Sequence, residues 1–151
     1  MSFSSIAWLA LTALLLSAES SFSAAGETVT IWGFASKCLT APGGVGVKVV
    51  LSRCINGLTG QQWEVRGKAF VNDGSCLDVE GGSTQQGARV VVSTCQQQRG
   101  SQEWRVSGRA IVGWQERCLD VEGARPDDGT PVIMWRCHGE SNQWWQLAYG
   151  K

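Results

Sequence analysis

Short apolar runs separated by glycine and polar residues dominate the chain after residue 25. Three of these runs are rich in β-branched side chains and flanked by glycine, at 47–51, 88–92 and 132–135. Such runs are typical of short β-strands, because β-branched side chains pack well on a pleated surface. No stretch after residue 25 shows helical periodicity over ten or more residues, and 19 glycines favour many tight turns. The pattern predicts an all-β protein.

The longest apolar run lies near the start of the chain, at 6–16, where Thr12 is its only polar member. Small residues follow at Ser23, Ala24 and Ala25, as expected for a signal peptide and its cleavage site. The run of eleven residues is too short to cross a bilayer, which takes about 20 apolar residues. We therefore predict a signal peptide at 1–25, secretion to the extracellular space and no membrane insertion.

One motif recurs at a constant distance along the rest of the chain. Gln-x-Trp triplets lie 41 residues apart, at 61–63, 102–104 and 143–145. A period of this length indicates one supersecondary unit that is copied and packed against its copies. The sequence predicts one domain at 26–151, divided into repeats at about 27–66, 67–107 and 108–151.

All six cysteines follow the predicted signal peptide, and each repeat contains two of them. An even number of cysteines in an exported chain favours disulfides over metal ligation. A zinc site is not expected, because the chain has no C-x-x-C pair and His138 is its only histidine. We expect neither a metal nor another cofactor. The spacing predicts disulfides within repeats, joining Cys38 with Cys54, Cys76 with Cys95, and Cys118 with Cys137.

Charge and chemistry narrow the class of function. The chain has 13 basic and 13 acidic side chains, and its lysines and arginines are scattered. Nucleic acids and anionic lipids are bound by basic faces, so we expect neither as a partner. The cysteines are assigned to disulfides, and we find no histidine-supported serine and no metal cluster. The sequence therefore predicts a binding protein without catalytic residues.

The three Q-x-W triplets, together with Cys-Leu-Asp-Val-Glu at 76–80 and 118–122, resemble the ricin-type β-trefoil lectins. The resemblance extends over essentially the whole chain after the signal peptide. It implies a barrel of six strands, capped by three hairpins around a pseudo-threefold axis. It also implies a lectin or a stand-alone carbohydrate-binding module whose partners are glycans or polysaccharides.

The resemblance indicates where a sugar would bind in each repeat. The positions are two residues after the first cysteine, two before the second, and directly before the glutamine of Q-x-W. In the third repeat they hold Asp120, Trp135 and Asn142, which offer a carboxylate, an aromatic face and an amide. His138 and Gln143 are the further candidates for sugar contacts. We expect the principal sugar site here.

The strand pattern predicts the orientation of Trp135. If Val132 and Met134 face the core, alternation turns Ile133 and Trp135 outward, which would make Trp135 an exposed platform. In the other interpretation, Trp135 packs against Trp144 or against the loop around Pro126. The same choice applies to Trp32 and Trp114, each of which either extends a binding groove or is partly buried on a hairpin.

The other two repeats match the binding positions less well. The second repeat keeps Asp78 but has Ser93 and Ser101 in the other two places, which predicts a second site that binds weakly or not at all. The first repeat has no suitable residue at any of the three places, which are Thr40, Ser52 and Gly60. We therefore predict one principal site.

An interaction protein is the alternative function, since other β-trefoils block proteases with surface loops. A protease inhibitor or a toxin-like binder would act on a partner protein that the sequence does not identify. The Q-x-W triplets favour the lectin, because inhibitor trefoils are not marked by them. Retention on sugar-bearing resins, with protease titration as the control, distinguishes the two. The sequence does not identify the sugar.

Overall fold

The computed structural model describes residues 26–150, so the predicted signal peptide lies outside the described residues. This part of the chain forms twelve β-strands, four in each repeat, and seven 3-10 turns of three residues. None of its helices is long and apolar enough to span a membrane. The all-β prediction is confirmed. The strands are β1 Glu27–Gly33, β2 Lys37–Thr40, β3 Val50–Arg53, β4 Trp63–Arg66, β5 Ala69–Asn72, β6 Ser75–Val79, β7 Val90–Thr94, β8 Arg105–Ser107, β9 Ala110–Val112, β10 Arg117–Val121, β11 Thr130–Arg136 and β12 Trp145–Tyr149.

Six strands, the first and the last of each repeat, form the barrel. Antiparallel pairing joins β12 to β1, β1 to β4, β4 to β5, and β8 to β9. Single backbone bonds link the remaining neighbours: the Trp104 N–H donates to the Lys68 carbonyl at 2.8 Å, and the Trp145 N–H to the Arg109 carbonyl at 2.7 Å. The three repeats thereby close on one another, as the β-trefoil resemblance implies.

The other six strands form three hairpins, β2–β3, β6–β7 and β10–β11, which cap the barrel. A glycine eight residues before the second cysteine fastens each hairpin to the next repeat. Gly46, Gly87 and Gly129 have φ angles of 85°, 84° and 89°, a region that favours glycine. Their N–H groups donate to the carbonyls of Val92, Met134 and Leu51 at 2.7–2.8 Å.

These contacts between repeats explain where the predicted strands differ from the observed ones. The runs at 47–51 and 88–92 begin as strands only at Val50 and Val90. Val49 donates its N–H to Val90, and Lys48 forms an isolated bridge with Val91, so both bond to the neighbouring repeat rather than to their own hairpin. The third run starts earlier than predicted and forms part of β11.

The tryptophan and glutamine of each Q-x-W triplet form a buried contact that we call the Q-x-W clamp. The indole N–H of the tryptophan donates to the carbonyl of the leucine after the first cysteine, at 3.0 Å in all three repeats. The glutamine Nε2 donates to the carbonyl before the second cysteine, and its Oε1 accepts the N–H after that cysteine. The clamp thus ties each hairpin to the barrel.

Apolar side chains from all three repeats fill the interior, and the three tryptophans of the triplets lie at its centre. Trp63, Trp104 and Trp145 are all buried, together with the leucines that accept their indole N–H groups. One large aromatic side chain in each repeat fills a barrel that small side chains would leave open. Their predicted role as core residues is confirmed.

Each repeat contains its own disulfide, as predicted. Cys38 is bonded to Cys54, Cys76 to Cys95, and Cys118 to Cys137, over separations of 16, 19 and 19 residues. Closing loops of this size stabilises the fold by about 3 kcal/mol each in the chain-entropy model. The bonds hold the two strands of each hairpin together near the start of its first strand and the end of its second.

Replacing Trp145 by alanine tests the clamp. We expect the free energy of unfolding to fall by about 3–5 kcal/mol, because the change opens a large core cavity and leaves the Leu119 carbonyl without its donor. Denaturant titration measures this loss. Tyr149→Ala on the same strand is the matched control: Tyr149 is 55% exposed, so its change should stay within about 0.5 kcal/mol. Equal losses from the two variants would contradict the proposed role of Trp145.

Candidate functional site

Four of the residues predicted to bind sugar line one pocket in the third repeat. Strand β10 provides Asp120, β11 provides Trp135, and the 3-10 turn Ser141–Gln143 provides Asn142. His138 follows the disulfide and completes the group. The pocket has a volume of about 380 Å³, within the roughly 300–1,000 Å³ typical of small-ligand sites. The structure therefore brings these side chains together.

Asp120 forms the floor of this pocket and is only 3% exposed. Its Oδ1 accepts a hydrogen bond from Asn142 Nδ2 at 3.1 Å, and its Oδ2 accepts one from Gln143 Nε2 at 2.7 Å. Burial raises the pKa of the Asp120 carboxyl above its ordinary value, and contacts with Gln143, His138 and Asn142 only partly offset this rise. The carboxylate is thus held in one orientation by neutral donors.

His138 lies at the rim and faces the same carboxylate. Its Nε2 is 3.4 Å from Asp120 Oδ2, and its side chain is 28% exposed. Its Nδ1 accepts a hydrogen bond from the Glu140 N–H at 3.0 Å, so the neutral ring carries its proton on Nε2. His138 therefore presents an N–H donor at the edge of the pocket.

Trp135 forms one wall of the pocket and is partly buried, whereas the sequence predicted an exposed platform. A β-carbon built at Gly87 of the second repeat would lie 3.6 Å from Cζ3 of Trp135, which places the ring beside that glycine. Val132 and Met134 face the core, as the strand pattern predicts. Ile133 lines the pocket with Trp135, but it is covered and only 6% exposed.

Gln143 lies behind the pocket rather than on its surface. It is 1% exposed, and its carboxamide makes the clamp bonds as well as the bond to Asp120. Both N–H groups of Nε2 are therefore used inside the protein. Gln143 orients Asp120 and has no donor left for a ligand.

The structure adds lining residues that sequence reasoning missed. Glu122, Gly123 and Ala124 also line the pocket, and Gly87 of the second repeat lines it as well. Glu122 pairs with Arg125 at 2.9 Å. It is the last residue of the Cys-Leu-Asp-Val-Glu segment, so this motif could have identified Glu122 as a candidate site residue. The contribution of Gly87 depends on contact between repeats, which the local sequence does not reveal.

In the second repeat, Arg99 is paired with the aspartate that corresponds to Asp120. Asp78 is fully buried, and its Oδ2 accepts Gln102 Nε2 at 3.1 Å and pairs with Arg99 Nε at 3.2 Å. Arg99 also donates to Ser101 at 3.0 Å. Oδ1 of Asp78 has no hydrogen-bond partner among the described residues. The carboxylate predicted to form a weaker site is therefore closed off by its own repeat.

The first repeat shows that the clamp does not need a carboxylate. Thr40 stands in the place of Asp120, and its hydroxyl accepts the bond from Gln61 Nε2 at 3.0 Å. No charged group remains for a ligand at that position.

Taken together, the third-repeat pocket combines a fixed carboxylate, an amide, an imidazole N–H and an aromatic wall. These groups suit a ring that has hydroxyls on one side and C–H bonds on the other. Within residues 26–150, no group of three or more His, Cys, Asp or Glu side chains is placed to hold a metal ion.

Solved structures share this architecture. A designed threefold-symmetric protein, ThreeFoil, matches with a TM-score of 0.72 and 26% identity, over 80% of this chain and 97% of that one. The C-half of an earthworm R-type lectin, in complex with GalNAc, matches with a TM-score of 0.69 and 17% identity, over 82% of this chain and 99% of its own. An exo-β-1,3-galactanase from Clostridium thermocellum matches with a TM-score of 0.70 and 24% identity, over 82% of this chain but only 30% of the enzyme.

No curated protein sequence matches this chain. The sequence model of the ricin-type β-trefoil lectin domain, however, matches residues 27–145, which is most of the chain. That stretch contains all three Q-x-W triplets, all three disulfides and the third-repeat pocket. The chain therefore belongs to the ricin-type β-trefoil lectin domain family.

Proposed function

We propose that this protein is a secreted carbohydrate-binding protein, a lectin or a stand-alone carbohydrate-binding module, with its principal sugar site in the third repeat. The observation that carries the proposal is that the third repeat brings three groups together in one pocket: the Asp120 carboxylate, which no arginine covers, the Asn142 amide and the Trp135 indole. The lectin family and the GalNAc complex of the earthworm protein support carbohydrate binding. The signal-like segment at 1–25 and three disulfides support secretion.

Each side chain of the pocket has a distinct part in this proposal. Asp120 accepts hydrogen bonds from two neighbouring sugar hydroxyls. Asn142 donates both N–H bonds inside the protein, to Asp120 and to the Val121 carbonyl, so its oxygen is the group that faces a hydroxyl. His138 donates from Nε2, and Trp135 packs against the C–H face of the ring. The protein holds the sugar without acting on it.

A glycan array on the protein without residues 1–25 tests the proposal and selects a ligand. With that ligand, Asp120→Asn should weaken binding about tenfold or more, since hydrogen bonds to a charged group contribute about 1.5–3 kcal/mol. Asp78→Asn is the matched control in the second repeat and should change the affinity of the folded protein little. Protease titration tests the alternative function. An array without a bound glycan, or equal losses in the two variants, would refute the proposed site.

Trp135→Ala separates binding from stability. Loss of the aromatic wall should weaken sugar binding by about 1–3 kcal/mol, the range for an aromatic anchor. The free energy of unfolding should fall by only about 1 kcal/mol, because the ring is partly buried and lies outside the core cluster. Calorimetric titration and thermal melts measure the two effects. A loss of stability as large as that of Trp145→Ala would mean that Trp135 is a core residue.

Sugar binding should also depend on pH through Asp120. The Asp120 carboxyl must be ionised to accept hydrogen bonds from two hydroxyls, and an ordinary aspartate has a pKa of about 3.9. Because burial raises the pKa of Asp120, the affinity should begin to fall at a higher pH than it would with an ordinary aspartate. The effect on stability has the opposite sign: a raised folded-state pKa contributes stability at low pH that is lost as pH rises through it. Protonation of Asp120 by itself is therefore not expected to destabilise the fold.

Affinity measured by titration calorimetry between about pH 4 and pH 8 checks this dependence, with circular dichroism confirming the fold at each point. His138 faces the same carboxylate, so His138→Gln is measured in parallel to separate its protonation from that of Asp120. A flat affinity profile in the unmodified protein would show that the Asp120 carboxylate does not contact the ligand.

A further inference from the structure

A second groove lies between the first and third repeats and shares no lining residue with the third-repeat pocket. It has a volume of about 330 Å³. Three aromatic side chains line it, Trp32 and Phe34 from the first repeat and Trp144 from the third, together with Arg109 and Gln146. We call it the Trp144 groove. Trp32 is partly buried and also lines this groove, so each of the two alternatives for this residue applies in part.

The aromatic surface and the cation of the groove are held together. Trp144 is 40% exposed, and its indole N–H donates to the Gly139 carbonyl at 2.8 Å, which fixes the ring. The guanidinium carbon of Arg109 lies 4.6 Å from the centroid of that ring. A guanidinium stacked in this way keeps its N–H edge free, and stacking restricts its rotamers before any ligand binds.

The charge of the groove is not balanced from within. Arg109 is the only charged residue in its lining, and no ion pair joins Arg109 to any acidic side chain of residues 26–150. A guanidinium with a free edge binds a carboxylate through two parallel hydrogen bonds. The groove is therefore complementary to an anion that also has an apolar face.

The equivalent groove between the second and third repeats shows that this chemistry is not imposed by the fold. The backbone bond from Trp104 to Lys68 corresponds to the bond from Trp145 to Arg109. In that groove the place of Trp144 is taken by Glu103, which pairs with Lys68 at 3.6 Å, and a second ion pair joins Arg105 to Glu116 at 2.5 Å. Its charges are matched internally, and those of the Trp144 groove are not.

We propose that the Trp144 groove is a second carbohydrate site, specific for a sugar ring that carries a carboxylate, such as a uronic acid unit of an acidic polysaccharide. The indole and phenyl faces pack against the C–H side of the ring, the Arg109 edge binds the carboxylate, and Gln146 bonds to a hydroxyl. The site goes beyond the proposed function, because it is separate from the Asp120 pocket and selects for charge.

Titration calorimetry at low ionic strength tests the proposal with trigalacturonate and trimannuronate, and with neutral galactotriose and mannotriose for comparison. At least one uronate should bind saturably and about tenfold or more tightly than its neutral counterpart, and added salt should weaken it. Arg109→Ala should lower that affinity about tenfold or more. Trp144→Glu, which copies Glu103 of the equivalent groove, should abolish binding by pairing with Arg109.

Lys68→Ala, at the position equivalent to Arg109, is the matched control and should leave uronate affinity within about twofold. Thermal melts confirm that each variant is folded, and Arg109→Lys replaces Trp144→Glu if the latter does not fold. Failure of both uronates to bind the folded protein would overturn the proposal. A loss of uronate affinity in Asp120→Asn alone would also overturn it, because the uronate would then bind in the third-repeat pocket. Equally tight, Arg109-dependent binding of a hexaglutamate peptide would overturn it as well, because the groove would then be a peptide site.

Discussion

The Q-x-W clamp is the interaction on which the rest of this structure depends. In each repeat a buried indole N–H and a buried carboxamide satisfy backbone groups on the hairpin that no strand partner reaches. An unsatisfied buried donor or acceptor costs about 1–3 kcal/mol, so the tryptophan and the glutamine are constrained together and in all three repeats. This contact therefore ties each hairpin, beside its disulfide, to the barrel.

The same clamp explains why the candidate site lies where it does. Its glutamine Nε2 needs one acceptor two residues after the first cysteine, and the hydroxyl of Thr40 is sufficient. An aspartate at that position therefore brings a second oxygen and a charge that the fold does not require. In the third repeat the additional oxygen and charge belong to Asp120, which lines a pocket. In the second repeat they belong to Asp78, which is paired with Arg99. The difference between the repeat with the candidate site and the closed one lies in the residues that surround the carboxylate.

Most of the fold could be predicted from the sequence because it depends on contacts that recur. Triplets, cysteines and glycines in register indicated three copies of one unit, and the pairing of the disulfides followed. Contacts between repeats could not be predicted in this way: the late start of β3 and β7 and the packing of Trp135 beside Gly87 depend on positions that no local pattern links. The pairing of Arg99 with Asp78 lies within the second repeat, but no motif links these two positions either. For Gln143, the motif identified the residue but not its position behind the pocket.

The repeats differ most where the clamp leaves side chains free. The middle residue of each triplet points away from the buried contact, and it is Gln62, Glu103 or Trp144. Because these positions do not carry the core, substitutions there can change surface chemistry at little cost in stability. Buried positions do not have this freedom: Asp78 still requires Arg99, and one of its oxygens has no partner among the described residues. Divergence at the surface therefore changes the exposed side chains from repeat to repeat, whereas the buried aspartate of the second repeat is a charge that Arg99 offsets within the same repeat.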